Sequence, residues 1–141
     1  MYISWGDIGM EFMNPNTDRD TVLTLKRWLE NKNKNHSFAD YFTECGYGSI
    51  GIFDAGEVGR ILYDEIKDSC IVVQWFIDKN AEGIETIEGI PVRLMKDVFT
   101  LPKVDIVCVS PIYDYEAVSA FLIKHNPEIR TLSLKDVAYE I

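Results

Sequence analysis

From residue 49 to the C-terminus, short apolar runs alternate with stretches of helical period, and few folds other than a sheet layered with helices satisfy that alternation. The first run, residues 49–53, is bounded by Gly46, Gly48 and Gly56 and reads as a buried strand. Residues 57–68 then place Val58, Ile61, Leu62 and Ile66 on one helical stripe and leave Arg60, Asp64, Glu65 and Lys67 for solvent. Residues 70–77 are almost wholly apolar, as a strand covered on both faces should be. A loop at 83–89, with room for a small hairpin, leads to a short strand at 90–93, where Pro91 points to an edge position. A weak helix near 95–100 follows. Residues 104–110 form another buried strand, ended by Pro111, and Asp114 is a fitting N-cap for a helix carrying Ala117, Val118, Phe121 and Leu122. Residues 129–133 close the strand series, and Ser133 with Asp136 resembles a capping box for a last helix at 134–139.

With right-handed crossovers these pieces predict a Rossmann-like three-layer α/β fold with a five-stranded, mostly parallel sheet in the order 3-2-1-4-5. Two N-terminal helices precede it. Val22, Leu25 and Leu29 share one face of the first, which starts at a box formed by Thr17 and Asp20 and runs to Glu30; the polar run 31–35 reads as a loop. Ser37 caps the second, which carries Phe38, Tyr41, Phe42 and Cys45. The expected division is an N-terminal helical extension, 1–46, packed on a main nucleotide-binding domain, 47–141. The first twenty residues, with a turn cluster at 14–17, name no element.

A chain of 141 residues builds one substantial core. Its 14 basic and 23 acidic residues give a net charge of −9, a field that repels nucleic acid and anionic membrane surfaces, so neither is an expected partner. Cys45, Cys70 and Cys108 lie in otherwise apolar stretches without metal or disulfide spacing, and read as buried free thiols in a reducing cytoplasm. No long apolar run or signal-peptide pattern is present, which predicts a cytoplasmic protein without membrane insertion.

Ligands of open parallel sheets bind at the carboxyl ends of the strands, where the topology changes direction. Here those ends are residues 54–59, 78–80 and 110–113. Asp54, Ala55, Gly56, Glu57, Val58 and Gly59 match the spacing G-x-G-x-x-G in its second and third glycines, with aspartate in the first place; the turn follows a strand, opens a helix, and meets an acid, Asp78, about twenty residues later. The candidate ligand contacts are these six residues with Asp78, Lys79, Ser110 and Pro111. Gly56 and Gly59 equally suit a tight turn that binds nothing, and Asp78 equally suits the first solvated residue of a loop. Asp54 and Glu57 place two carboxylates where a phosphate would use free N–H groups, and like charges about 4 Å apart cost on the order of 1 kcal/mol in water and several times that when desolvated. Glu57 fits a helix-dipole role. Tyr113 and Tyr115 either line the crevice or pack on the surface. Tyr63 and Lys67 have a dehydrogenase-like spacing but lie too early in the chain for that chemistry, and neither His36 nor His125 has a nucleophile or acid in motif spacing, so no catalytic residue is assigned.

The segments 50–60, 76–78, 88–92 and 105–111 together resemble the Rossmann-like domains of bacterial polysaccharide-biosynthesis enzymes: the nucleotide-sugar-binding N-terminal domain of sugar acyltransferases and the corresponding domain of dehydratases. They are also similar to the NAD domains of redox-sensing repressors and to CoA-binding domains. The resemblance implies phosphate or nucleotide contacts at Gly56 and Gly59 and a ribose contact at Asp78, with NAD or a nucleotide-sugar as cofactor. It makes the chain a nucleotide-binding accessory to surface-polysaccharide synthesis, with a glycan-synthesis enzyme or a second copy as partner. Two alternatives stand beside it: the remnant of an NAD-dependent oxidoreductase or dehydratase, and a degenerate domain kept for protein contacts, with Trp5 and Trp28 at a dimer interface.

Overall fold

The computed structural model describes residues 15–79, 85–112 and 114–141. Trp5, Tyr113, the side chain of Thr17, the turn cluster at its first residue and the loop residues 80–84 lie outside the described set. The chain is α/β: α1 (Pro15–Asn33), α2 (Phe38–Glu44), β1 (Ser49–Phe53), α3 (Glu57–Ile66), β2 (Val72–Ile77), β3 (Thr86–Ile87), β4 (Ile90–Arg93), a 3-10 helix (Met95–Thr100), β5 (Ile106–Val109), α4 (Tyr115–His125), β6 (Thr131–Ser133) and α5 (Leu134–Glu140).

The sheet has six strands, not five, in the order β3-β4-β2-β1-β5-β6, all parallel except β3 against β4. The added strand is a two-residue hairpin arm closed by Glu88 and Gly89, both at positive φ (49° and 85°). Positive φ at both turn positions gives the twist that a two-residue hairpin needs. The hairpin displaces β4 from the edge that Pro91 suggested: Val92 N–H donates to Glu85 O (2.9 Å), and the register with β2 begins at Val92, just past the proline that lacks a donor.

Side-chain alternation along the strands sorts the core into two layers. On one face Ile50, Ile52, Val73, Phe76, Ile106 and Cys108 pack with Leu62 and Ile66 of α3 and Leu134, Val137 and Ala138 of α5. On the other, Phe53, Trp75, Ile77, Val107 and Val109 pack with Val98, Val118 and Leu122. A bulge between Ile50 and Gly51 sets Gly51 opposite Trp75, whose ring fills the space where a Cβ would stand. Trp75 Nε1 then donates to Pro102 O at 2.9 Å.

The N-terminal helices differ from their sequence reading in rotation and length. Val22 and Leu29 are exposed, and the inward stripe is Thr24, Trp28 and Asn31. Packing against α5 decides this, since Asn31 Nδ2 donates to Ala138 O at 2.8 Å, deep between the helices. That bond carries α1 through the asparagine-rich run despite its weak propensity. The helix stops two residues later in a left-handed cap at Asn35 (φ 62°), with His36 N–H on Asn31 O and Asn35 N–H on Lys32 O. At the other end α1 starts at Pro15, ahead of the expected box. Ser37 caps α2 as its sequence suggested, accepting from Asp40 N–H at 3.0 Å.

Glu65, assigned to solvent by the stripe on α3, is instead a buried anchor with only 6% of its side chain exposed. Its Oε1 accepts from Trp28 Nε1 (2.9 Å) and Lys32 Nζ (3.2 Å), and its Oε2 from Phe38 N–H (2.8 Å). Trp28, 3% exposed, packs its ring on Phe38 at 4.8 Å and shares the core with the sheet, which removes it from any dimer surface. Of the cysteines only Cys108 is buried, and burial pushes its thiol pKa up; Cys45 and Cys70 are exposed because they sit at helix and strand ends. Glu65→Ala strands two buried donors and is expected to cost about 3 kcal/mol or more, whereas Glu65→Gln keeps an acceptor and costs roughly half that. Urea unfolding followed by Trp28 fluorescence checks the difference.

Candidate functional site

The sheet changes direction at β1: the next strand, β2, lies on one side of it and β5 on the other. The chain leaves β1 at Phe53, and Asp54 N–H still donates to Ile77 O at 2.7 Å, which fixes the point of departure. Asp54 then takes φ of 108°, in the region that favours glycine. This is why the motif has glycine at this place, and aspartate holds it at a backbone cost of order 1–3 kcal/mol. The bend folds α3 back so closely that a Cβ at Gly59 would overlap the carbonyl oxygen of Asp54.

Both turn amides are already bonded to carboxylates. Gly56 N–H donates to Asp54 Oδ1 (2.8 Å) and Ala55 N–H to Asp78 Oδ2 (2.7 Å). Arg60 is exposed, as its place on the helix suggested, and its Nε also donates to Ala55 O at 2.9 Å, clamping the turn from the first coil of α3. The Asp54 carboxyl pKa is raised from 3.8 to about 6, chiefly because it is withdrawn from water; the Gly56 N–H pulls it down, and the charge and hydrogen-bonding contact of Asp78 push it up.

Beside this filled turn lie unbonded polar groups. The N–H groups of Glu57, Val58 and Gly59 open α3 and meet no acceptor among the described residues. Ser110, just past β5, donates its N–H to Phe53 O (3.2 Å), which seats it at the switch point. Strand alternation puts its side chain on the Cys108 face, the α3 side of the sheet. It is 2% exposed, and its hydroxyl has no hydrogen-bond partner among the described residues.

The structure thus brings Asp54, Ala55, Gly56, Gly59, Asp78 and Ser110 together. Glu57 points to solvent at the start of α3, Val58 packs partly into the core, and Pro111 continues from Ser110 half-buried. Lys79 reaches over the end of the sheet to Asp114 (3.5 Å), so Asp114 occupies the N-cap position of α4 without bonding its N–H groups. Tyr115 is turned away from the crevice, its hydroxyl on Thr131 Oγ1 at 2.9 Å. Tyr63 packs edge-on against Phe76 and Lys67 pairs with Asp64 and Glu88, so the two form no catalytic pair. His36 and His125 sit far from these strand ends, on the α1–α2 loop and at the end of α4. Among the described residues no cluster of His, Cys, Asp or Glu could hold a metal ion, and no helix is long and apolar enough to cross a membrane.

No protein-family model matches this chain, and no curated protein sequence matches it. Function is therefore argued from the site's geometry.

Because the folded-state pKa of Asp54 lies above its ordinary value, the native protein holds a proton between pH 3.8 and about 6 that the unfolded chain has released. Stability from this group is therefore greatest below that window and falls as pH rises through it. Asp54→Asn keeps an acceptor for Gly56, tolerates positive φ, and does not titrate. From pH 4 to pH 7 it should gain on the wild type by about 2 kcal/mol in urea unfolding. A pH-independent difference would contradict the assignment.

Proposed function

We propose that the chain is a Rossmann-like binding domain for a nucleotide-type ligand, seated at the carboxyl ends of β1, β2 and β5. The observation that carries this reading is Ser110: a buried hydroxyl without a partner is costly, and this one lies at the switch point where open sheets receive ligands. The vacant N–H groups at the start of α3 and the acid after β2 support the same location. Five parallel strands, taken in chain order without the hairpin arm, run third, second, first, fourth, fifth across the sheet, an arrangement consistent with that fold.

NAD and nucleotide-sugars are the ligands implied by the resemblance to polysaccharide-biosynthesis domains, and an accessory role in surface-glycan synthesis is the setting it suggests. The turn fits their diphosphate poorly, since its two amides are bonded to carboxylates. The reading therefore centres on the nucleoside part of the ligand.

Thermal shift with nucleosides, nucleoside monophosphates, UDP, UDP-sugars, CoA and NAD tests it, because a ligand at a hundred times its Kd stabilises by about 2.7 kcal/mol. At least one nucleoside-containing ligand should raise the Tm. Ser110→Ala loses no hydrogen bond in the free protein, so its own Tm should stay within a few degrees of the wild type while the ligand-induced shift shrinks. No shift with any member of the panel would leave the degenerate-domain reading in its place.

A further inference from the structure

We propose that Asp54 makes this site selective against diphosphates, so that its ligand is a nucleoside moiety held through sugar hydroxyls and not a dinucleotide or nucleotide-sugar laid across the turn. The inference rests on the reading of the crevice as a nucleotide-type site, for which the unpartnered Ser110 hydroxyl is the independent sign.

A diphosphate cradle combines the N–H groups that open the helix with an unencumbered turn that has no side chain at its first position; the helix N–H groups are vacant here and the turn is not. Here the first position carries a carboxylate, and the amides of Gly56 and Ala55 are held at 2.8 and 2.7 Å by Asp54 and Asp78. A phosphate oxygen approaching either amide has to displace a carboxylate or lie against one. Nearby cations offset this only in part. Lys79 is paired with Asp114, and Arg60, fixed through Nε to the Ala55 carbonyl, sets one positive charge against two carboxylates. Sugar hydroxyls, by contrast, are donors and suit a carboxylate-lined turn without charge conflict. Asp54 is the discriminating residue: at φ of 108° Asp54→Gly removes both the charge and the acceptor, and Asp54→Asn removes the charge alone.

Calorimetric titration of the wild type, Asp54→Gly and Asp54→Asn with adenosine, uridine, UDP and NAD near neutral pH tests the proposal, with Tm reporting that each variant is folded. The wild type should bind a nucleoside at least as tightly as the matching diphosphate. Asp54→Gly should tighten UDP or NAD by about tenfold or more while nucleoside affinity changes by less than about threefold. Asp54→Asn keeps the Gly56 acceptor and should show a smaller gain. A wild type that prefers diphosphate, or a folded Asp54→Gly with unchanged diphosphate affinity, would overturn the selectivity and leave the site in place. Failure of all three proteins to bind any of the four ligands would overturn the site, and the selectivity with it.

Discussion

The bend between β1 and α3 governs the carboxyl end of the sheet. With Gly59 against the carbonyl of Asp54, α3 starts directly after the bend and the turn amides of Ala55 and Gly56 are left outside the sheet ladder and the helix. Amides so placed, and partly removed from water, need acceptors. The chain supplies its own in Asp54 and Asp78, one from within the turn and one from the end of the neighbouring strand. In other turns of this spacing the same geometry shapes an anion site; here the two turn amides are satisfied internally, while the N–H groups that open α3 are not. The cost is a residue at positive φ and a carboxyl whose pKa is raised, first by burial and then by the carboxylate beside it.

A second constraint holds the helical layer. Glu65 gathers a tryptophan N–H, a lysine and a backbone N–H from both N-terminal helices onto α3, two turns beyond the site. Through α3 this anchor is continuous with the turn: Leu62 and Ile66 bury the helix on the sheet, and Arg60 fastens its start to Ala55. The first two helices thus stiffen the element whose N-terminus borders the crevice. They share one core with the sheet, with Trp28, Phe38 and Phe42 packed beside Ile50 and Ile52.

The parallel strands and the crossover helices were legible because their signals are local: apolar runs of strand length, glycine at the turn, apolar residues at helical spacing. The glycine turn and its partners Asp78 and Ser110 were legible for the same reason. What depended on tertiary partners was not. Val22 and Leu29 read as an inward face, yet Asn31 and Thr24 turn inward because α5 offers α1 a carbonyl to bond. Glu65 looks like an ordinary solvated helix charge until the groups it bonds are known, and Arg60, though exposed, does not announce its bond to Ala55. The direction of the Asp54 carboxylate, on which the proposed ligand chemistry turns, follows from a backbone conformation that composition and period do not encode; only its place in a glycine position hinted at it.

The central claim is that carboxylates fill the turn. Amide NMR followed through a pH titration tests it most directly, since an N–H bonded to a carboxylate shifts as that carboxylate takes up a proton. The Gly56 amide should move with a midpoint near 6, the value to which burial raises Asp54, and this transition should vanish in Asp54→Asn. A Gly56 amide that does not titrate, or that moves only in the ordinary aspartate range, would show that Asp54 leaves the turn open.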